Sequence, residues 1–171
     1  MLERLWNGWR AAYVQGVVVP EVPAHAGEGS VFTRILASGL ADEETNIVHR
    51  GTTCFAILNA FPYSTGHVLI LPYREVADLE DLDTDEKAEV WSTVTDAVVA
   101  IKRAYAPEGI NIGINLGKPA GGSISEHLHV HVVPRWTGDS NFMTAIANTR
   151  TLPEALADTA ARLRAAWPGV T

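Results

Sequence analysis

Residues 127–133 read HLHVHVV, which sets His127, His129 and His131 two residues apart with aliphatic residues between them. Strict alternation of this kind belongs to a β-strand, because a helix would scatter the same three side chains around its axis. As a strand, the segment puts the three imidazoles on one face, with Cβ atoms repeating about every 7 Å. Leu128, Val130 and Val132 then turn to the opposite face, against the core. Half of the chain's six histidines crowd one patch of sheet.

The rest of the chain supplies the layers such a sheet needs. Strand-like stretches are expected at Ile47–Arg50, Cys54–Leu58 and His67–Leu71, separated by Gly51-Thr52 and by NAFPYSTG. A long helix is predicted from about Thr84 to Tyr105. Asp83 and Glu86 form a variant capping box at its start, and Val90, Val94, Val98 and Ile101 give it an apolar stripe. Lys102 and Arg103 fall in its last turns, where the helix dipole favours cations. In GINIGINLG, Ile110, Ile112, Ile114 and Leu116 alternate with Asn111, Gly113 and Asn115, and a glycine-rich loop, GKPAGGS, leads on to the histidine strand. Further helices are expected at Leu2–Val14, whose face carries Trp6 and Trp9, from Ser30 to about Leu40, and from about Pro153 to Trp167. The pattern is α+β: an antiparallel sheet with one long helix, an N-terminal helical arm and a C-terminal helix. Within a single domain overall, we distinguish an arm at 1–45, a core at 46–142 and a helical tail at 143–171.

Charge and cysteine content exclude several classes of function. With 13 basic and 20 acidic side chains the net charge is −7, which argues against a broad grip on nucleic acid or an anionic membrane. Cys54 is the only cysteine, so no intramolecular disulfide and no zinc site on paired cysteines can form. No apolar run is long enough to span a bilayer, and MLERLWNGWR has no signal-peptide core, so the expected compartment is the cytoplasm.

Three imidazoles on one face admit three readings. They could be a solvated strand face, a metal site, or a centre for phosphate chemistry. Glu126 falls on the other face and no cysteine is near, which leaves a metal short of ligands, so no metal site is expected. Imidazole is a competent nucleophile at neutral pH, and neighbouring imidazoles can donate to phosphate oxygens. Like charges disfavour one another, so a neutral central imidazole flanked by donors suits attack on phosphorus. The loop before the strand favours this third reading: Gly117, Gly121, Gly122 and Ser123 offer small residues, backbone N–H groups and a hydroxyl that can cradle a phosphate.

HLHVHVV, NAFPYSTGHVLILPYR at 59–74 and NLGKPAGGSISEHLHVHVVPRW at 115–136 resemble the histidine-triad (HIT) family of nucleotide hydrolases and transferases. The resemblance runs from about Asn46 to Phe142. Within the family the chain is most similar to the actinobacterial diadenosine tetraphosphate phosphorylases, through an LERLW-type arm, the GGSISEHLHVHVVPRW core and the GDSNF segment. The resemblance implies that His129 attacks the α-phosphorus and forms a nucleotidyl-histidine. It further implies that His131 contacts phosphate or leaving-group oxygens and that His127 supports the nucleophile, partly through its backbone. Asn59 matches the ribose contact; Asn115, Gly121, Gly122 and Ser123 match the residues that hold phosphate; and Trp136 lies where it could touch substrate. His67 matches the histidine of the family's Gly-His turn.

The expected substrates are a dinucleoside polyphosphate and inorganic phosphate, giving ADP and ATP from diadenosine tetraphosphate. No cofactor is expected beyond a divalent metal accompanying the nucleotide, and the assembly is expected to be a homodimer. Hydrolysis by water, a nucleoside phosphoramidase activity, and nucleotide or metal binding without turnover remain as alternatives. Gly122 stands where the fragile-type hydrolases carry glutamine, and we expect its small size and bare N–H to leave room for a second anion. The plainer readings are that Asn59 opens the NAFPYS turn, Trp136 is packing, and Lys118 is a solvated loop cation. Cys54 reads as a small core residue, and His25 and His49 carry no supporting pattern.

Overall fold

The computed structural model describes residues 28–122, 124–139 and 154–169. The expected arm helix with Trp6 and Trp9, Ser123, and the segment 140–153 therefore lie outside the described residues. Helix α1 (Val31–Ala37) and a single turn, α2 (Asp42–Thr45), precede three strands, β1 (Ile47–Arg50), β2 (Cys54–Leu58) and β3 (Val68–Pro72). Helix α3 (Thr84–Tyr105) crosses to β4 (Gly109–Ile114), then come β5 (Val130–Arg135) and α4 (Leu156–Ala166). The five strands form one sheet in the order β1-β2-β3-β5-β4, and every pairing is antiparallel. This is the α+β arrangement expected from the patterning.

The two faces of the sheet are covered differently. On one face Ala56, Leu58, Val68, Ile70, Val130 and Val132 pack against Val90, Val94, Ala97 and Ile101 of α3 and against Ala160, Leu163 and Trp167 of the C-terminal segment. The predicted stripe on α3 is thus buried, with Ala97 deeper than Val98. Asp83 accepts from the Glu86 N–H while the Glu86 carboxylate returns a bond to the Asp83 N–H, completing the capping box. On the other face Ile47, Phe55, Ile57, Leu69 and Leu71 pack against Phe32 of α1. Phe32, within the 1–45 segment, thereby forms part of the core.

The structure corrects several expected boundaries. Helix α1 ends at Ala37 rather than near Leu40, because Ser38 turns both its N–H and its hydroxyl onto the Ile35 carbonyl and Gly39 follows with φ +70°. β3 starts at Val68, one residue after His67. The ladder of β5 starts at Val130, so His127 and His129 precede it. Leu128 donates its N–H to Val76, beyond the end of β3, and joins a small cluster with Val76 and Leu82 instead of the sheet core. The α4 helix begins at Leu156.

The two sheet edges also differ. Arg164 donates to the Ile47 and Asp42 carbonyls, and Trp167 stacks on His49, which closes the β1 edge. β4 forms the other edge, and its alternation is not simply core against solvent. Ile110 and Ile114 are partly buried, but Ile112 and Leu116 are 47% and 44% exposed.

Candidate active site

The histidine segment is built by two different restraints. His131 lies within β5, paired between Leu69 on β3 and Gly113 on β4. A side chain at Gly113 would meet nothing within 4 Å, so the sheet surface beside His131 is open. His127 and His129 belong to the stretch that leaves the sheet, and both are packed under α1: Phe32 sits edge-on to His127 and tilted against His129, at ring-centroid distances of 5.6 and 5.7 Å. The three imidazoles therefore do not share one open face. His127 is 0% exposed and turned inward, while His129 is 7% exposed.

Hydrogen-bond accounting fixes the tautomers of the buried pair. The Pro72 carbonyl can only accept, and His127 Nε2 lies 2.9 Å from it, so that nitrogen carries the proton. Nδ1 of the same ring is then an acceptor, with Ser30 Oγ 2.8 Å away. His129 Nδ1 lies 2.8 Å from the His127 carbonyl and must donate to it. The lone pair of His129 is thereby directed to Nε2, for which the described residues provide no partner. Burial, above all, holds both imidazoles below their ordinary value near 6.5. The carbonyl bonds pull the other way, as does Glu75 for His127. Both rings are neutral at neutral pH, as a nucleophile and its support require.

A second chain of the same kind ends at His131. The Tyr63 N–H donates to His67 Nδ1 over 3.1 Å, which leaves the proton of that neutral ring on Nε2. Nε2 lies 3.0 Å from His131 Nδ1 and donates to it, so the His131 proton is on Nε2. This nitrogen lies 3.3 Å from the Asn115 side-chain amide, whose oxygen reaches the same place by a half-turn of the group. His67, fully buried, thus sets which nitrogen of His131 donates. His131 and His129 stand edge to face, centroids 4.9 Å apart, so a ring with an unprotonated Nε2 and a ring with an Nε2–H are neighbours.

The remaining candidates fall at different places. Asn59 accepts from the Phe61 N–H through Oδ1 and donates its own backbone N–H to the His67 carbonyl. Its Nδ2 also lies 3.4 Å from His67 Nδ1, so the side chain braces the 59–67 turn whose ends the backbone bond joins. The glycine loop is self-bonded: the N–H groups of Ala120 and Gly122 donate to the Gly117 carbonyl, and that of Gly121 to Lys118. The bare N–H expected of Gly122 is thus committed to closing the loop. A side chain there would stand 3.1 Å from the carbonyl oxygens of both Asn115 and Gly117, so tight closure is what requires glycine. Ser123 lies outside the described residues. Trp136 follows the far end of β5, five residues and about 16 Å along the strand from His131, away from the triad of its own chain.

Among the described residues no group of three or more His, Cys, Asp or Glu side chains is arranged to hold a metal ion, and no helix is long and apolar enough to cross a membrane. Sequence reasoning passed over Ser30 as more than a helix cap, and also Phe32 and Glu75. The Ser-x-x-Thr spacing at residues 30–33 signals only a helix start, and nothing local points from Ser30 to a histidine 97 positions away.

The sequence is 44% identical over 167 residues to a Mycobacterium tuberculosis protein named AP-4-A phosphorylase, a match covering 97% of this chain and 85% of that one. It is 33% identical over 95 residues to the asymmetrical bis(5'-nucleosyl)-tetraphosphatase of Schizosaccharomyces pombe, covering 56% of this chain and 52% of the relative. The fold superposes with a TM-score of 0.65 on the crystal structure of a Hit-like protein from Bartonella henselae, at 26% identity, covering 82% of this chain and 98% of that one. The sequence profile of the HIT domain matches residues 41–138, a span that includes the triad, the glycine loop and the Gly-His turn, and the chain belongs to the HIT domain family.

Proposed function

We propose that this protein is a dinucleoside polyphosphate phosphorylase, cleaving diadenosine tetraphosphate with inorganic phosphate to ADP and ATP. The observation that carries the reading is the direction of the His129 lone pair. With Nδ1–H held on the His127 carbonyl, Nε2 is a neutral nucleophile beside the His131 N–H. The strong similarity to a protein named for this activity, along nearly the whole chain, supports it.

In the first step the Nε2 lone pair forms a bond to the α-phosphorus, and the α–β bridging P–O bond breaks. Its electron pair leaves with ATP, whose departing oxygen accepts a hydrogen bond from His131 Nε2–H. The nucleotidyl-imidazolium keeps its Nδ1 proton on the His127 carbonyl. In the second step a phosphate oxygen attacks the same phosphorus, the N–P bond breaks, its pair returns to Nε2, and ADP leaves. Asn115, Ser123 and Lys118 are the groups we assign to phosphate, and Asn59 holds the turn against which ribose lies. Gly121 and Gly122 act by keeping the loop compact. A divalent metal enters only with the nucleotide, and we assign the activity to the cytoplasm, where nucleotide and phosphate pools lie.

We infer a homodimer joined through β4. Its edge carries the exposed Ile112, with the exposed Leu116 two residues past its end, whereas the β1 edge is closed by α4, and an uncovered apolar edge strand is a template for another copy. Antiparallel pairing of two β4 strands would carry the Trp136 end of each β5 toward the triad of the other protomer.

The reading is tested by incubating the protein with diadenosine tetraphosphate, with and without phosphate, and separating the products. ADP and ATP that depend on phosphate are expected. AMP and ATP formed regardless of phosphate would instead establish the hydrolase reading, which the tetraphosphatase relative keeps in play. His129→Ala should abolish turnover, and activity surviving in that variant would remove the nucleophile assignment.

A further inference from the structure

Ser30 lies one residue before α1, outside the matched family region, yet its hydroxyl reaches the first histidine of the triad. Its surroundings leave little freedom. Ser30 is 2% exposed, its N–H donates to Glu75 Oε2 at 2.8 Å, and its Oγ accepts from the Thr33 N–H at 3.2 Å as the cap of α1. The Thr33 hydroxyl donates to the same Glu75 oxygen at 2.6 Å. Gly29, at φ +104°, brings the chain so close that a side chain there would stand 2.8 Å from that oxygen.

Capping explains what Ser30 accepts but not what it donates. A buried hydroxyl proton needs an acceptor. His127 Nδ1 lies 2.8 Å away and Thr33 Oγ1 3.2 Å away, the Glu75 carboxylate interacts with the hydroxyl more weakly, and the shortest contact is to a nitrogen left unprotonated by the Nε2–H bond to Pro72. We propose that Ser30 is a positioning residue of the triad: its hydroxyl holds the His127 ring with Nε2–H on the Pro72 carbonyl, and so fixes the His127 carbonyl that aims the nucleophile. Ser30 touches neither substrate nor the reacting nitrogen. It acts through His127, whose carbonyl receives the His129 Nδ1 proton. The cap, the Glu75 bracket and Gly29 serve to hold this one hydroxyl in place.

The kinetic half of the test rests on the proposed transfer to phosphate, whereas the spectroscopic half needs no substrate. Ser30→Gly removes the hydroxyl while glycine keeps most of the capping preference at that position. Its kcat should fall about tenfold, the worth of one such hydrogen bond, with KM changed less than about twofold. Long-range proton–nitrogen spectra of the substrate-free protein should show the His127 Nδ1 signal moving toward that of an unbonded, unprotonated imidazole nitrogen. Ser30→Thr, which retains hydroxyl and cap, should recover both readouts. A folded Ser30→Gly protein with an unchanged His127 Nδ1 signal or wild-type kcat would overturn the assignment, as would a Ser30→Thr protein that recovers neither. A wild-type protein that fails to cleave diadenosine tetraphosphate sinks the functional reading alone, and the nitrogen spectra then decide the role of Ser30.

Discussion

Acidification should destabilise this protein before its carboxylates titrate, and His127 accounts for a measurable share of that loss. The ring is fully buried, and burial holds its folded-state pKa below the ordinary 6.5. The unfolded chain takes up a proton near the ordinary value, the folded chain only at lower pH. Between the two, the unfolded state carries one more proton, so the stabilisation is complete above 6.5 and declines as pH falls toward the folded-state value. Each such group contributes a slope of at most about 1.4 kcal/mol per pH unit in that window, and His129, shifted in the same direction, raises the ceiling for the pair to about 2.7. The carboxylates held low in the fold, Glu75, Glu86, Glu89 and Glu154, start from 4.5, so their contribution is lost only below it. Urea unfolding of the wild type and of His127→Gln between about pH 7.5 and 5 isolates the term, because glutamine does not titrate. Below the ordinary imidazole value the wild-type slope should become steeper than that of the variant, by at most about 1.4 kcal/mol per pH unit. Parallel slopes would show that His127 takes up its proton as readily folded as unfolded, and the argument for a neutral buried support would fail.

Three further outcomes are expected. Phe32→Ala should cost about 3 kcal/mol in urea unfolding, and by hydrating His129 it should shift the acid limb of the kcat profile upward toward the ordinary imidazole value. Gly122→Ala forces a methyl group against the Asn115 and Gly117 carbonyls, so kcat/KM for diadenosine tetraphosphate should drop roughly ten- to hundredfold with little change in Tm. Ile112→Lys places a charge on the open β4 edge and should yield a folded monomer by light scattering, whereas an unchanged mass would place the interface elsewhere.

The histidine strand, the long helix with its Asp83–Glu86 box, and the antiparallel sheet were legible because each follows from local periodicity or from neighbours within four residues. Legibility stopped where the chain leaves regular geometry. The alternation in HLHVHVV predicts three imidazoles on one face, but pairing begins only at Val130, and His127 turns into the interior to reach Pro72. The pattern GGS predicts an open donor at Gly122, whereas its N–H closes the loop on Gly117. A local pattern cannot show which carbonyl a loop N–H will find.

The sequence by itself determined the chemistry available: three imidazoles in alternation, a glycine loop ahead of them, and an acidic chain unsuited to large polyanions. Only the tertiary structure decided what each imidazole does. Proton placement depends on partners distant in sequence: Pro72 and Ser30 for His127, Tyr63 and His67 for His131. A neutral imidazole has one proton and two nitrogens, and it is the fold that assigns one to the other.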